Sequence, residues 1–411
     1  MTADSASLRL ALVDDLCRRG LIRTPAVREA FARVPRERFI PRVAEERGLA
    51  AVYEDTALVT LTSPQGLAIS SSSQPAIMAE MLERLSVGSG VRVLEIGAGT
   101  GYNAALLAEL GARVVSVDVD ADLASAAAQR LVDWPGVEVA AGDGMRGWTA
   151  GAPYDRIIVT ATPPCIPAAW RDQLREGGLL EVPMLLGHDQ AVVQVVVTFR
   201  RVGAELVSAG MVSGGFMAFR GPEGQPPDYP RPVMGWHDAA AKWGGGVYGA
   251  GPARLPAAAR RRLLGRLLTG GVRGRAGRGA SLGLPMAVVC WAPPGRLAAV
   301  VAGRDHALGL VDDRGNLSAI TARWHRSRPF RVIGTERYGD AGDADRELHG
   351  LIGAWRSAGG PDLEGFEIRV AFGRQPAGAR WRLPSAGEAR VGVSLRPARP
   401  APPTDRPAPR P

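Results

Sequence analysis

Glu95, Gly97, Gly99 and Gly101 fall at every second position of the stretch Arg92-Val93-Leu94-Glu95-Ile96-Gly97-Ala98-Gly99-Thr100-Gly101-Tyr102. An apolar run ends in an acid, breaks into glycines, and continues over 103–110 in strong helix formers. Strand, glycine turn and helix open a nucleotide-binding βαβ unit: glycine lets backbone approach a ligand, and the helix start offers unpaired N–H groups. Two more acids follow at strand ends, Asp118 after the run 112–117 and Asp143 within Gly142-Asp143-Gly144. Asp118 lies about twenty residues past the loop, where an acid accepts hydrogen bonds from ribose hydroxyls. An acid at the position of Asp143 commonly faces an adenine amino group. Any one of the three could be a turn residue or a cap, but together they mark the carboxyl edge where such sheets bind ligands.

The spacing selects the ligand. A dinucleotide fingerprint needs G-x-G-x-x-G, and its third glycine would fall on Tyr102. The form E-x-G-x-G-x-G is instead that of the S-adenosylmethionine loop in class I methyltransferases, whose ligand carries no pyrophosphate. S-adenosylmethionine is therefore the expected cofactor, with NAD the alternative.

The elements around the loop are periodic. Residues 4–19 read as a helix, and Thr24-Pro25 as cap and first residue of another over 26–33. A proline-bounded connector spans 34–41, and a polar loop runs from Tyr53-Glu54-Asp55 to Gly66, a candidate lid. The run Ser70-Ser71-Ser72-Ser73 precedes a helix over 76–85 with Met78, Met81, Leu82 and Leu85 on one face. Spacing alone makes Ser73 the N-cap of that helix; a hydroxyl at the mouth of the cofactor site is the sharper reading, compatible with the first. Strands at 112–118, 137–140, 154–160, 179–183 and 191–199, with helices at 121–131 and 170–174, give a doubly wound α/β sheet.

Composition bounds the rest. The chain has 411 residues, 46% of them apolar, enough for two or three domains. No apolar run approaches the ~20 residues of a membrane span, and the N-terminus lacks a signal-peptide layout, so no membrane partner and a cytoplasmic location are expected. Cys17, Cys165 and Cys290 form no CxxC pair. The five histidines show no ligand spacing, and no metal is expected. The net charge of +9 rests on arginine, Lys242 being the one lysine. That bias fits GC-rich codon usage, with nucleic acid or an acidic peptide as the alternative.

Residues 1–221 are expected to form the catalytic domain, 222–251 a Pro/Gly-rich linker, 252–395 a small α+β unit and 396–411 a disordered Pro/Arg-rich tail. Within the third, 260–268 reads as a basic helix, 270–283 as a glycine-arginine loop and 346–355 as an amphipathic helix. Strand-like runs stand at 287–291, 297–301, 307–311, 330–333, 366–372 and 392–395.

Residues 4–220 resemble protein-L-isoaspartate O-methyltransferases. The resemblance is carried by Val34-Pro35-Arg36, Tyr53-Glu54-Asp55, Ser73-Gln74-Pro75, the glycine loop, Gly142-Asp143-Gly144, Ala152-Pro153-Tyr154-Asp155 and Gly177-Gly178. It implies a class I fold in which Ser73 is the active-site serine near both methyl donor and acceptor carboxylate. It also implies that Ser72, Glu95, Gly97, Gly99, Thr100, Gly101, Asp118, Asp143 and Gly144 hold S-adenosylmethionine. Tyr53, Asp55, Ala161 and Thr162 would border the acceptor, a protein or peptide carrying aspartyl or isoaspartyl carboxylate. Two features depart from the family pattern: Ser71 and Ser72 replace an isoleucine and a threonine, and the chain continues past 220. Both resemble the C-terminally extended actinobacterial branch that accompanies ribosomal-peptide maturation, which esterifies a precursor aspartate that can close to a succinimide. The alternatives are a general isoaspartate repair enzyme, a nucleic-acid methyltransferase suggested by the charge, and a non-catalytic binding module. Against the nucleic-acid reading, Ala161-Thr162-Pro163-Pro164 lacks the Asp/Asn-Pro-Pro-aromatic box used on exocyclic amines.

Overall fold

Alternating apolar stretches and glycine turns set up the first half. In the computed structural model, the described residues are 4–63, 68–188, 191–221, 234–238, 243–248, 250–269, 272–274, 283–293, 295–302, 305–325, 328–383 and 387–396. The expected tail beyond Arg396, most of the glycine-arginine loop and positions 64–67 and 222–233 lie outside them. Helices α1 (Ser5–Arg18), α2 (Pro25–Arg33) and α3 (Pro41–Val52) come first. Thr24 caps α2, its hydroxyl accepting from the Val27 amide at 3.4 Å.

The stretch expected to be a polar lid is partly strand. β1 (Leu58–Thr62) pairs antiparallel with β2 (Ala68–Ser72), so the serine run is the second strand of a ribbon. Ser70 and Ser72 are buried while Ser71 is half-buried, a period of two that identical residue types conceal. Helix α4 (Pro75–Leu85) follows, with Gln74 at its N-cap. The reading of Ser73 as the cap is thus corrected. A carboxylate from a distant segment serves instead, Asp55 Oδ1 accepting from the Ala76 amide at 2.9 Å.

The main sheet is built from β3 (Arg92–Ile96), α5 (Tyr102–Glu109), β4 (Arg113–Asp118), α6 (Ala121–Arg130), β5 (Val137–Ala141), β6 (Tyr154–Val159), α7 (Ala168–Gln173), β7 (Leu174–His188), β8 (Ala191–Val202) and β9 (Glu205–Ser213). Strands β5, β4, β3, β6 and β7 run parallel in that spatial order, and β8 and β9 add antiparallel. The sheet is therefore Rossmann-like and mixed.

The second half contains β10 (Met234–Asp238), β11 (Trp243–Tyr248), α8 (Ala250–Arg254), α9 (Ala257–Thr269), β12 (Val272–Gly274), α10 (Gly283–Trp291), β13 (Leu297–Ala302), β14 (Asp305–Val311), β15 (Leu317–His325), β16 (Arg328–Tyr338), α11 (Asp343–Ser357), β17 (Phe366–Phe372), β18 (Trp381–Leu383) and β19 (Ala389–Leu395). β10 and β11 lie inside the stretch expected to be linker and join a seven-stranded antiparallel sheet with β12 to β16. β17, β19 and β18 instead continue the main sheet, Arg369 and Val370 standing opposite Val207 and Leu206 of β9. The extension α+β region thus shares a sheet with the first half. That arrangement covers an edge strand which would otherwise present unpaired backbone.

The strand expected at 287–291 is the helix α10. A short, wholly apolar run has no period to read. Here it is buried on every side, with Leu284, Met286, Ala287, Val288 and Val289 all at 0% exposure. α10 packs on β7 and β8, and its residues share one core with theirs.

One buried group in this sheet makes stability depend on pH. Glu181 of β7 is fully buried; Thr198 Oγ1 donates to its Oε2 at 2.6 Å, and Oε1 has no partner among the described residues. Burial pushes this carboxyl up to about 8. The folded state therefore holds the proton more tightly than the unfolded chain, so stability falls as pH rises from about 5 to about 8. Glu181→Gln is expected to make that fall shallower, the rest coming from buried Glu95, read as the thermal midpoint of each protein across the same pH range. Parallel curves for the two would reject the assignment.

Candidate active site

The site forms where β3, β4 and β6 end, because the chain must turn there and the glycines permit it. Gly97 has φ +98°, and a Cβ on it would stand 2.5 Å from Thr160 Oγ1. Gly101 is the left-handed N-cap of α5, with its Cβ direction blocked by Leu131 at 3.1 Å. These glycines are thus required by backbone sign and close packing within the protein.

A cavity of 720 Å³ opens at this edge. Of the residues expected at the site, Ser72, Ser73, Glu95, Gly97, Gly99, Thr100, Asp118, Gly144 and Ala161 line it. Tyr53, Asp55, Gly101, Asp143 and Thr162 are not among its lining residues. The Tyr53 hydroxyl bonds Glu37 and accepts from Arg9 at 3.3 Å. Asp55 caps α4 and pairs with Arg19 at 2.7 Å. Asp143 Oδ1 accepts from the Met145 amide at 3.0 Å. Thr162 is tied to the segment after β9: its amide donates to Met217 O at 2.7 Å, and its hydroxyl to Phe216 O at 3.0 Å.

Glu95 is an internal brace. Its carboxylate accepts from Asn103 Nδ2 at 2.8 Å and Ser116 Oγ at 2.5 Å, tying β3 to α5 and β4. Burial pushes it up to about 7. Asp118 accepts from the Gly99 amide at 2.8 Å and the Asp120 amide at 3.1 Å. Burial raises its carboxyl, opposed by those two amides and by Arg220. Each oxygen keeps acceptor capacity beyond these bonds.

Three residues without a role in the sequence reading complete the site. Arg36, at 0% exposure, donates to Val52 O (2.8 Å), Glu54 O (3.2 Å), Thr56 O (3.2 Å), Ser73 O (2.9 Å) and Ser72 Oγ (3.3 Å). Its guanidinium also sits 5.9 Å from the Tyr102 ring centroid. No carboxylate lies within ion-pair reach among the described residues, and burial lowers its pKa. Arg220 reaches back from the segment after β9 to Asp120 at 3.1 Å and Asp118 at 3.8 Å. Gln194 of β8 donates to Thr162 Oγ1 and Phe216 O, both at 3.2 Å, bracing the far wall. The motif Val34-Pro35-Arg36 and the apolar setting among Val34, Phe39 and Ile40 are the signals for Arg36. The other two depend on contacts remote in sequence. Ser73 lines the cavity with its carbonyl held by Arg36.

Glycine turn, strand-end acids and a cavity of ligand size at the carboxyl edge of a mixed Rossmann-like sheet are the arrangement of a class I S-adenosylmethionine-dependent methyltransferase. The family model for protein-L-isoaspartate(D-aspartate) O-methyltransferase matches residues 7–210. A curated relative, the protein-L-isoaspartate O-methyltransferase of Cronobacter sakazakii, is 41% identical over 188 residues, which cover 45% of this chain and 83% of the relative. The chain belongs to the protein-L-isoaspartate O-methyltransferase family. A solved protein-L-isoaspartate O-methyltransferase aligns over 94% of this chain and 99% of its own, with 22% identity and a TM-score of 0.51, a likeness of fold. Among the described residues no helix is long and apolar enough to cross a membrane.

Proposed function

We propose that this protein esterifies an aspartyl or isoaspartyl carboxylate of a polypeptide, and that it acts on a precursor peptide in the manner of the ribosomal-peptide maturation branch. The observation that carries the carboxylate reading is the placement of Ser73. It lines the cavity with the glycine loop, on a backbone that Arg36 holds by the Ser72 hydroxyl and the Ser73 carbonyl. Bound S-adenosylmethionine would supply an electrophilic methyl group, and Asp118 would accept from its ribose while Gly144 would border its adenine. A carboxylate acceptor with a pKa near ~4 is ionised at neutral pH, so no general base is needed. The work of the chain is then orientation and exclusion of water. Ser73 donates a hydrogen bond that aims one carboxylate oxygen, while Gln194 and the segment over 214–220 wall the acceptor side. The resulting ester is open to attack by the next backbone amide nitrogen, which closes a succinimide.

The repair reading has its own support in the 41% identity to a protein-L-isoaspartate O-methyltransferase within the catalytic half. The extension beyond it supports the peptide-maturation reading. Labelled S-adenosylmethionine offered with an isoaspartyl peptide, and separately with an aspartate-containing precursor peptide, distinguishes the two. Transfer to neither carboxylate would end the proposal. Ser73→Ala is expected to lower kcat by roughly 10- to 100-fold while leaving cofactor affinity within about twofold, since one orienting hydrogen bond is lost. Equal kcat in the variant would remove Ser73 from the mechanism.

A further inference from the structure

The two halves of the chain differ in charge. Residues 1–221 hold 21 basic and 25 acidic residues, and residues 222–411 hold 29 and 16. GC-rich codon usage, which accounts for arginine over lysine, acts on both halves alike and cannot create that difference. From Ala239 to Arg304 the chain has 11 basic residues and no acidic one.

Helix α9 is where this charge is best placed. Ala259 and Leu263 turn inward at 1% and 0% exposure, leaving Arg261 and Arg262 exposed and Arg260 half-buried. Arg262 Nε reaches Arg314 O at 3.4 Å, bringing exposed Arg314 beside them. Asp340 is taken up with Arg266 at 3.8 Å, and Asp313 is the acid adjoining Arg314. None of Arg260, Arg261 and Arg262 has a carboxylate within ion-pair reach among the described residues. Arg260 closes the first turn of α9, where the helix dipole disfavours a cation. Exposed guanidinium groups without an acidic neighbour suit an anionic partner. β13 of the same basic half lies against β8, whose Gln194 braces the acceptor wall.

We infer that the outer face of α9, with Arg314, docks an acidic stretch of the polypeptide substrate that flanks the acceptor residue. The inference rests on the carboxylate-methylating function proposed above, which makes a polypeptide the occupant in preference to a nucleic acid. Charge of this kind selects and steers a partner more than it adds affinity, and salt screens it.

Two isoaspartyl peptides sharing one acceptor sequence, one with uncharged flanks and one with an oligoglutamate tail, test this on the full chain. The unaltered protein is expected to show a KM roughly tenfold lower for the tailed peptide, an advantage lost by about 0.3 M salt. The combined variant Arg260→Gln, Arg261→Gln, Arg262→Gln should lose that advantage while keeping kcat/KM on the uncharged peptide. A variant that retains the preference overturns the inference. So does tighter binding of a fluorescent oligonucleotide than of the tailed peptide. Failure to methylate either peptide rules out the isoaspartyl acceptor alone. The docking surface is then judged by fluorescence anisotropy, supported if tailed-peptide binding falls in the variant and overturned if it does not.

Discussion

Arg36→Ala is expected to destabilise the protein by about 3–5 kcal/mol and to abolish measurable methyl transfer. The wild-type guanidinium is fully buried and satisfies carbonyls of Val52, Glu54, Thr56 and Ser73 at once. Removing it strands those acceptors out of water, each costing about 1–3 kcal/mol if left unpaired. It also frees the backbone that presents Ser73, so activity should fall further than the unfolded fraction alone explains. Arg36→Lys keeps the charge but not the planar five-donor geometry, and should fall between the two. Urea unfolding followed beside cofactor affinity and kcat separates these effects. A stable, fully active Arg36→Ala protein would show that the five contacts are incidental.

Removing residues 222–411 is expected to leave the catalytic half insoluble. α10 covers β7 and β8 with side chains that are wholly buried, including Leu284, Met286, Val288 and Val289. At about 1.5–3 kcal/mol per large apolar side chain, exposure of that interface and its partners costs on the order of 10 kcal/mol, comparable to the whole stability of a domain. The edge of β9, paired to β17 in the intact chain, would be left open to other molecules. Expression of 1–221 alone, assayed by sedimentation and by dye binding to apolar surface, checks this. A soluble, monomeric, methyl-transferring fragment would show that the extension is a detachable module.

Much of the catalytic half could be read without coordinates. Period and glycine spacing located β3, the loop, α5, β4 and Asp118, because those features are local: a strand alternates, a turn needs glycine, and a helix repeats over a few residues. Ser73 and Gly144 also line the cavity. The same local rules misassigned α10, whose run is apolar on every side, and the serine ribbon, whose residues are identical.

What only the tertiary structure decided is what each polar group is bonded to. Asp55, expected near the acceptor, caps a helix twenty residues on and pairs with Arg19. Glu95, expected to hold the cofactor, is engaged by Asn103 and Ser116. Arg36, quoted as part of a motif, carries the backbone under Ser73. The choice of residue at each of these positions is written in the chain. Its partner is not, because a buried donor takes whichever acceptor the fold brings within about 3 Å, from any distance along the sequence.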